Sequence, residues 1–221
     1  MNDTLERIAH CIEFGKINKV SPYPPDMKGQ DGADEYTKAA LEQGIPANDI
    51  LKKGLVPGMQ KVGIKFRENK IFVPQVLMSA KAMSTAMVHL KPFFQSGEVI
   101  RKGKFVIGTV AGDLHDIGKN LVSMMVEGAG WEVIDLGVDV SVDRFMKAVE
   151  ENPMCIVGLS AMLTTTMVNM GTIVSSIKEK YPNQKVIIGG APLNNDFCSE
   201  IGADFYSPDP QGAIEYIETQ V

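Results

Sequence analysis

The 221-residue chain has few cysteines, few aromatic residues and no excess of positive charge. Its three cysteines, Cys11, Cys155 and Cys198, lie far apart without CxxC spacing, which excludes a disulfide framework and a cysteine-based zinc site. With 22 basic and 27 acidic residues, it lacks the basic surface of a general nucleic-acid binder. It also lacks a signal-peptide pattern and any apolar run near the roughly 18 residues of a membrane span. We therefore expect a cytoplasmic protein with neither nucleic-acid nor membrane partners.

What the chain does contain is typical of a globular protein, with 44% hydrophobic and 22% charged residues. The first part has apolar residues at helical spacing, which predicts four helices, at 4–14, 33–43, 49–66 and 73–90. Pro57 predicts a kink or a break within the third of these helices. The proline- and glycine-rich segment 18–31 predicts a loop. Four helices are enough for a small bundle.

The second part has a different periodicity, because short β-branched runs alternate with helical segments. The predicted strands are 104–110, 131–137, 155–160, 185–190 and 203–207, and the predicted helices are 117–128, 142–150, 165–181, 194–201 and 211–219. This alternation predicts an α/β fold with a doubly wound, five-stranded parallel sheet of the Rossmann-like or flavodoxin-like kind. We expect a helical domain at 1–91, a linker at 92–103 and the α/β domain at 104–221. In such sheets, ligands bind at the carboxyl ends of the strands.

The loop after the first predicted strand contains a single histidine, His115, between two acidic residues, Asp113 and Asp116. The loop has neither GxGxxG nor GxxxxGK[ST], and its carboxylates disfavour phosphate, so a dinucleotide site is excluded. A lone histidine is usually an ordinary polar residue, but imidazole is also the commonest metal ligand, and a nearby carboxylate raises its basicity. One histidine cannot build a zinc site. It can supply one axial ligand to a metal that a macrocycle already holds.

Two further loops carry features that fit a ligand. Ser160 ends the third predicted strand and the run Thr164–Thr166 follows it, and together they provide more hydroxyl groups than helix N-capping needs. Gly189 and Gly190 end the fourth predicted strand, either as a plain turn or to let a bulky group approach the backbone.

Three short blocks occur in a defined order: Asp113-x-His115-x-x-Gly118, Ser160-x-Met162 and Gly189-Gly190. This pattern resembles the cobalamin-binding fingerprint D-x-H-x-x-G, S-x-L, G-G of corrinoid proteins and of cobalamin-dependent methionine synthase. Met162 replaces the leucine of S-x-L with an apolar residue of similar size. The segments VPGMQKVGIKF and IFVPQVLMSAKAM are similar to the helical cap domain of that family. The resemblance covers nearly the whole chain except the loop 18–31.

The resemblance implies cobalamin or a related corrinoid, bound base-off and His-on, so that its benzimidazole leaves cobalt and enters a channel in the α/β domain. His115 would be the lower axial cobalt ligand, and Asp113 and Ser160 would form a hydrogen-bond relay behind it. The implied cofactor-binding residues are Asp113, Leu114, His115, Asp116, Ile117, Gly118, Ser160, Leu163, Thr164, Gly189 and Gly190. The helical half would cover the reactive face, with Val62, Phe66 and Met83 as candidates.

The function implied by the resemblance is methyl transport. A substrate-specific corrinoid methyltransferase would methylate the cobalt, and a second methyltransferase would pass the methyl group to tetrahydrofolate or coenzyme M. A reductive activase would be a third partner, and the linker would act as a hinge that exposes the reactive face. Donors in the family include methanol, methylamines, betaines and methoxylated aromatics. The segment SPYPPDMKGQDGADE resembles the corrinoid subunits of acetogen O-demethylases, which makes methoxyaromatics the first candidate.

Two alternatives use the same cofactor. A cobalamin-dependent mutase would need a large barrel domain, for which 221 residues leave no room. A cobalamin-dependent sensor or regulatory module would need a DNA-binding module with a basic face, whereas this chain is acidic.

Overall fold

The computed structural model describes residues 2–220, which divide into two compact units. The first unit ends at Arg101 and adds the segment Gly128–Gly130, and the second begins at Lys102 and contains the other residues. Helices form the first unit, and the five strands described lie in the second. Within residues 2–220, no helix is long and apolar enough to cross a lipid bilayer.

The first unit is organised around its N-terminal helix. Its helices are α1 (Asn2–Phe14), α2 (Ala33–Glu42), α3 (Ala47–Asp49), α4 (Val56–Arg67) and α5 (Val73–Gln95). Helix α1 packs against α2, α4 and α5. Leu5, Ile8 and Ile12 of α1 are buried, and their three- and four-residue spacing places them on one helix face. The apolar periodicity of the sequence therefore predicts this face correctly.

Two observed helices differ from the predicted ones near prolines. The predicted helix 49–66 contains a π-helical turn, Ile50–Leu55, and α4 begins at Val56 with Pro57 in its first turn. Helical backbone continues from the π-helical turn into α4, because the Val56 amide donates to the Leu51 carbonyl, and the proline that lacks an N–H follows directly. Helix α5 continues through Pro92 to Gln95, because that proline removes only one hydrogen bond near the helix end. Residues 92–95, predicted as linker, are therefore helical.

The second unit is a parallel sheet with the strand order β2-β1-β3-β4-β5. The strands are β1 (Lys104–Thr109), β2 (Glu132–Asp135), β3 (Ile156–Ser160), β4 (Lys185–Gly189) and β5 (Phe205–Ser207). The helices are α6 (Ile117–Gly128), α7 (Val142–Glu151), α8 (Thr164–Met167), α9 (Asn169–Lys180), α10 (Asn195–Glu200) and α11 (Pro210–Glu218). The predicted helix 165–181 is divided at Val168 into α8 and α9. The strand order confirms the predicted flavodoxin-like, doubly wound fold.

The core of this unit lies where the central strands meet the helices. Val106 pairs with Val157, and Val157 pairs with Val186, across β1, β3 and β4. All three are completely buried, and Phe145 of α7 and Ile173 of α9 belong to the same apolar cluster. Strands of this kind are covered on both faces, which explains why they appear in the sequence as continuous apolar runs rather than as alternating patterns.

The strand order also locates the crevice. Strands β1 and β3 are neighbours, but β1 leads to β2 on one side whereas β3 leads to β4 on the other. Their loops therefore separate at the carboxyl edge of the sheet, which is where ligands bind in this class of fold. The last paired residues of the two strands are Thr109 and Ser160. The predicted site residues 113–118 and 160–164 follow directly after these positions.

Candidate functional site

The loops after β1 and β3 meet at the carboxylate of Asp113, which is 0% exposed. Its Oδ1 accepts hydrogen bonds from the amide nitrogen of His115 at 3.1 Å and from Nδ1 of His115 at 2.8 Å. Its Oδ2 accepts from the amide nitrogen of Met162 at 2.8 Å and from the hydroxyl of Thr166 at 2.6 Å. Four donors, from the loops after β1 and β3 and from α8, therefore surround one buried carboxylate.

These donors determine the ionisation of Asp113. Burial by itself would raise the pKa of this carboxyl, because a low-dielectric environment disfavours the charged form. The hydrogen bonds from Thr166, Met162 and His115 outweigh burial and hold the pKa of Asp113 well below its ordinary value. Asp113 is therefore ionised at neutral pH and can act only as an acceptor.

An ionised Asp113 fixes the tautomer of His115. Because the carboxylate can only accept, Nδ1 of His115 carries the proton, and Nε2 of the neutral ring holds the free electron pair. The side chain of His115 is 55% exposed, and none of the residues described bonds its Nε2. The backbone of His115 is also held in place, because the Thr109 hydroxyl donates to the His115 carbonyl at 2.9 Å. The imidazole is thus oriented from one side and available as a ligand on the other.

The hydroxyl that reaches Asp113 belongs to Thr166 and not to Ser160, which corrects the relay implied by the resemblance. Ser160 ends β3, where its carbonyl accepts from the Val110 amide at 3.0 Å. Among residues 2–220, its hydroxyl makes no hydrogen bond to Asp113. Helix α8 begins at Thr164, and its first turn brings Thr166, which is 6% exposed, to the carboxylate. The excess of hydroxyls at 164–166 was the sequence signal for this contact.

Large apolar side chains are exposed next to the histidine. Leu114 and Ile117 are each 72% exposed, and Met162 and Leu163 are 49% and 42% exposed. All four belong to the loops after β1 and β3 or to the first residue of the helix that follows. A cluster of exposed apolar residues usually marks a surface that contacts a ligand or a partner. This edge therefore fits a ligand with a large apolar face.

The three glycines predicted for the site have different roles in the fold. A Cβ atom at Gly118 would meet no other atom within 4 Å, and one at Gly189 would lie 3.4 Å from the carbonyl oxygen of Ser207. Gly190 has a φ of +140°, and a Cβ there would lie 1.8 Å from the carbonyl oxygen of Ala161. Packing within the chain therefore requires glycine at position 190. It does not require glycine at position 118, where open space remains.

The two remaining predicted residues, Asp116 and Thr164, are exposed near the starts of helices. Asp116 lies just before α6 and accepts a hydrogen bond from Nδ2 of Asn120 at 3.0 Å. Thr164 is the first residue of α8. The fold therefore brings all the predicted residues to the carboxyl ends of β1, β3 and β4.

The set of possible metal ligands is small. Within residues 2–220, no group of three or more His, Cys, Asp and Glu side chains is arranged to hold a metal ion. A protein zinc site needs three or four such ligands. One supported imidazole beside an apolar surface instead fits a metal whose other ligands belong to a large organic ring, as in a corrinoid.

Comparison with known proteins agrees with this chemistry. Two family models, each described as a B12 binding domain, match residues 103–214 and 30–91. A corrinoid protein of Desulfitobacterium hafniense (strain Y51) is 38% identical over 191 residues, which cover 84% of this chain and 88% of that protein. Trimethylamine corrinoid protein 1 of Methanosarcina acetivorans is 40% identical over 178 residues, which cover 79% of this chain and 82% of that protein.

Two solved structures are similar over nearly the whole chain. A cobalamin-binding protein from Desulfitobacterium hafniense DCB-2 has a TM-score of 0.76 and 30% identity, with 98% of each chain covered. A chain of the methanol:cobalamin methyltransferase complex from Methanosarcina barkeri has a TM-score of 0.83 and 28% identity, with 99% of this chain and 79% of that chain covered.

The fold, the supported histidine and these matches define a B12-binding protein. More particularly, the chain belongs to the corrinoid proteins of methyltransferase systems, which confirms the resemblance found in the sequence.

Proposed function

We propose that this protein holds a corrinoid at the carboxyl edge of its sheet and carries methyl groups between two methyltransferases. The observation that carries the proposal is the bond between the buried Asp113 carboxylate and Nδ1 of His115, which leaves Nε2 as a free electron-pair donor beside exposed apolar residues. When bound, the corrinoid supplies a cobalt centre that accepts and releases a methyl group. A dimethylamine and a trimethylamine corrinoid protein of Methanosarcina acetivorans, to which this chain is 36% and 40% identical, support this role.

In this proposal, His115 would bind cobalt through Nε2, with the cofactor in the base-off, His-on form. Asp113 accepts the hydrogen bond from Nδ1, which orients the ring and makes Nε2 a stronger electron-pair donor. Thr166 and the Met162 amide keep Asp113 ionised, because both donate to its Oδ2. The hydrogen-bonded unit behind the metal ligand therefore consists of His115, Asp113 and Thr166.

The other predicted residues form the surroundings of the cofactor. Leu114, Ile117 and Leu163 would contact apolar parts of the corrinoid, since all three are exposed. Gly118 and Gly189 would leave space for the nucleotide tail. Asp116, Ser160, Thr164 and Gly190 would complete the lining of this channel.

We also propose that residues 1–91 form a cap domain, that 92–103 form a hinge and that 104–221 bind the cofactor. Of the three residues expected to cover the reactive face, Val62 and Met83 are buried, and Phe66 has partly exposed surface. Phe66 is therefore the candidate that we retain. Limited proteolysis tests the hinge, because cleavage between residues 96 and 101 should change in rate when a methyltransferase partner is added.

For the methyl donor, we propose methoxylated aromatic compounds, on the basis of the segment 21–35. Methylamines are the second candidate, because a trimethylamine corrinoid protein is 40% identical to this chain. The proposed partners are a substrate-specific methyltransferase, a methyltransferase that uses tetrahydrofolate or coenzyme M, and a reductive activase, all in the cytoplasm. Reconstitution of the holo-protein with methyltransferases for each donor class tests the assignment. Methyl transfer from methylamines but not from methoxyaromatics would reverse it.

Electron paramagnetic resonance of the cobalt(II) holo-protein tests the ligation. We expect a nitrogen splitting that changes when histidine is labelled with ¹⁵N and that disappears in His115→Ala. A matched control is His89→Ala, because Nε2 of His89 also pairs with a carboxylate, that of Asp34, at 2.6 Å. A splitting that ¹⁵N-histidine leaves unchanged would show that the benzimidazole remains on cobalt, and the His-on proposal would be wrong.

A further inference from the structure

Asp139, in the loop between β2 and α7, has a left-handed backbone conformation with a φ of +53°. Residues with a side chain rarely adopt this conformation, and glycine adopts it at the lowest cost. Aspartate and asparagine are the usual exceptions, because their short side chains form local hydrogen bonds. An aspartate at this position therefore calls for a contact that glycine could not make.

The side chain of Asp139 makes such a contact with the histidine loop. Its Oδ1 accepts a hydrogen bond from the amide nitrogen of Gly112 at 2.7 Å. Its own amide nitrogen donates to the carbonyl oxygen of Asp113 at 3.0 Å. These two bonds lie on either side of the Asp113 Cα atom. Together they fix the backbone from which the Asp113 carboxylate projects.

Regular structure holds neither Gly112 nor Asp113, and the Asp113 amide is otherwise held by a turn in which it donates to the Val110 carbonyl at 3.1 Å. Strand β1 ends at Thr109 and helix α6 begins at Ile117. Asp139 is itself rigidly placed, since the Thr109 amide donates to the Gly137 carbonyl at 3.0 Å and the Val140 amide donates to the Thr109 carbonyl at 2.9 Å. Asp139 thus lies between two backbone bonds that tie its loop to the end of β1.

We propose that Asp139 is a positioning residue for His115. It sets the backbone of Asp113 so that the buried carboxylate meets Nδ1 of His115, and the ring is held with Nε2 available. This inference rests on the proposed function of His115 as the metal ligand. Asp139 itself touches neither the histidine ring nor any reacting atom, so its effect is transmitted through the backbone bonds to Gly112 and Asp113.

Two substitutions separate the side-chain contact from the backbone conformation. Asp139→Gly retains the left-handed conformation and removes the acceptor, whereas Asp139→Asn retains an acceptor oxygen and tolerates the same conformation. Asp143→Ala is the matched control, because Asp143 is an exposed aspartate four residues further on, in the first turn of α7. Thermal unfolding of each variant verifies that it is folded.

The first measurement uses the protein without cofactor. ¹⁵N NMR of the His115 ring, recorded at about pH 8.5, reports which nitrogen carries the proton. We expect the Nδ1–H tautomer to dominate in the wild type, Asp139→Asn and Asp143→Ala, and a mixture of tautomers in Asp139→Gly. The Gly112 amide should exchange with solvent about tenfold faster in Asp139→Gly, because it loses a bond to a charged acceptor. An unchanged tautomer in Asp139→Gly would overturn the proposal.

The second measurement distinguishes this inference from the proposed function. In the cobalt(II) holo-protein, the histidine nitrogen splitting should be uniform in the wild type and in Asp139→Asn, and heterogeneous in Asp139→Gly. A wild-type spectrum without any histidine nitrogen would show that His115 is not the ligand, while the NMR result would still decide whether Asp139 positions the ring. A uniform histidine splitting in Asp139→Gly would contradict the positioning role and leave the ligation intact.

Discussion

Among residues 2–220, two histidine–aspartate pairs occur, one in each unit, and they differ in the ring nitrogen that is bonded and in the burial of the carboxylate. His115 bonds Asp113 through Nδ1, two residues away, in the loop after a strand. His89 bonds Asp34 through Nε2 and joins α5 to α2 across 55 positions of sequence. The Asp113 side chain is completely buried, whereas that of Asp34 is 36% exposed. The distances, 2.8 Å and 2.6 Å, do not separate the pairs.

The two pairs differ in how firmly the fold holds the carboxylate. Asp113 accepts from three other groups besides the imidazole, so its ionisation and its orientation are set by the fold. In addition, the hydrogen bond from Nδ1 leaves Nε2, the nitrogen further from the backbone, as the atom that can donate an electron pair to a metal. The pair at His89 instead connects two helices. Burial of the carboxylate and the choice of ring nitrogen therefore distinguish the two.

Asp113→Asn should have the largest effect on cobalamin retention of the substitutions considered. The uncharged amide weakens the support of the imidazole, and we expect cobalamin retention to fall by about 10- to 100-fold, the usual range for the loss of a carboxylate behind a metal-binding histidine. Asp34→Asn should retain cobalamin within about twofold of the wild type, because its carboxylate supports helix packing only. Equilibrium dialysis with cobalamin measures both variants. Equal losses in the two would show that the burial of Asp113 is irrelevant.

Gly118 tests whether the space beside His115 is used. Gly118→Ala and Gly118→Leu should leave the free energy of unfolding of the cofactor-free protein unchanged or raised, because no atom lies within 4 Å of the new Cβ. Cobalamin binding should weaken progressively with side-chain size, by about 1–3 kcal/mol for leucine. Calorimetric titration compares the two variants. If Gly118→Leu bound cobalamin as tightly as the wild type, the nucleotide tail of the cofactor would not pass beside residue 118.

Asp204 provides a carboxylate whose role is structural. Burial would raise its pKa, but bonds from Lys178, the Val186 amide and Lys185 lower the pKa of Asp204 below its ordinary value of 3.8. The ionised form therefore adds stability above about pH 4, and this contribution is lost as the pH falls below that value. Asp204→Asn should lower the free energy of unfolding at pH 7 by about 1–3 kcal/mol.

The free energy of unfolding of Asp204→Asn should also depend less steeply on pH than that of the wild type. Below pH 4, Asp204→Asn should lose less stability than the wild type, since it has no carboxylate to protonate at this position. Urea unfolding between pH 7 and pH 3 measures both effects, and cobalamin retention at pH 7 should be unchanged. Parallel stability curves for variant and wild type would contradict the assigned ion pairs.

The smallest expected effect on cobalamin retention comes from removing the hydroxyl of Thr166 or that of Ser160. Thr166→Val preserves the shape of the side chain and removes one donor to Oδ2, so cobalamin retention should fall by about threefold to tenfold. Ser160→Ala should leave retention within about twofold, because Asp113 accepts no bond from this hydroxyl among the residues described. Spectroscopic titration with cobalamin measures both. The opposite ranking would restore the relay through Ser160.

The sequence by itself determined most of the fold and singled out the histidine that we propose as the metal ligand. The central strands are recognisable because burial on both faces makes them continuous apolar runs, as at 104–110 and 185–190. The strand–helix alternation then limits the topology, and the topology places ligands at the carboxyl edge. Asp113 and His115 are two residues apart, so their pairing depends mainly on one short loop and is visible in the motif.

Only the tertiary structure decided which groups support that pair. The Thr166 hydroxyl reaches Asp113 across 53 positions of sequence, and the Asp139 carboxylate reaches Gly112 across 27. Such contacts depend on how the loops after β1, β2 and β3 meet, and no local spacing encodes that. The glycines are a second example. The Ala161 carbonyl lies so close to position 190 that only glycine fits there, whereas position 118 has open space around it. Local periodicity encodes strands and helices, whereas hydrogen bonds and clearances between distant loops exist only once the sheet has assembled.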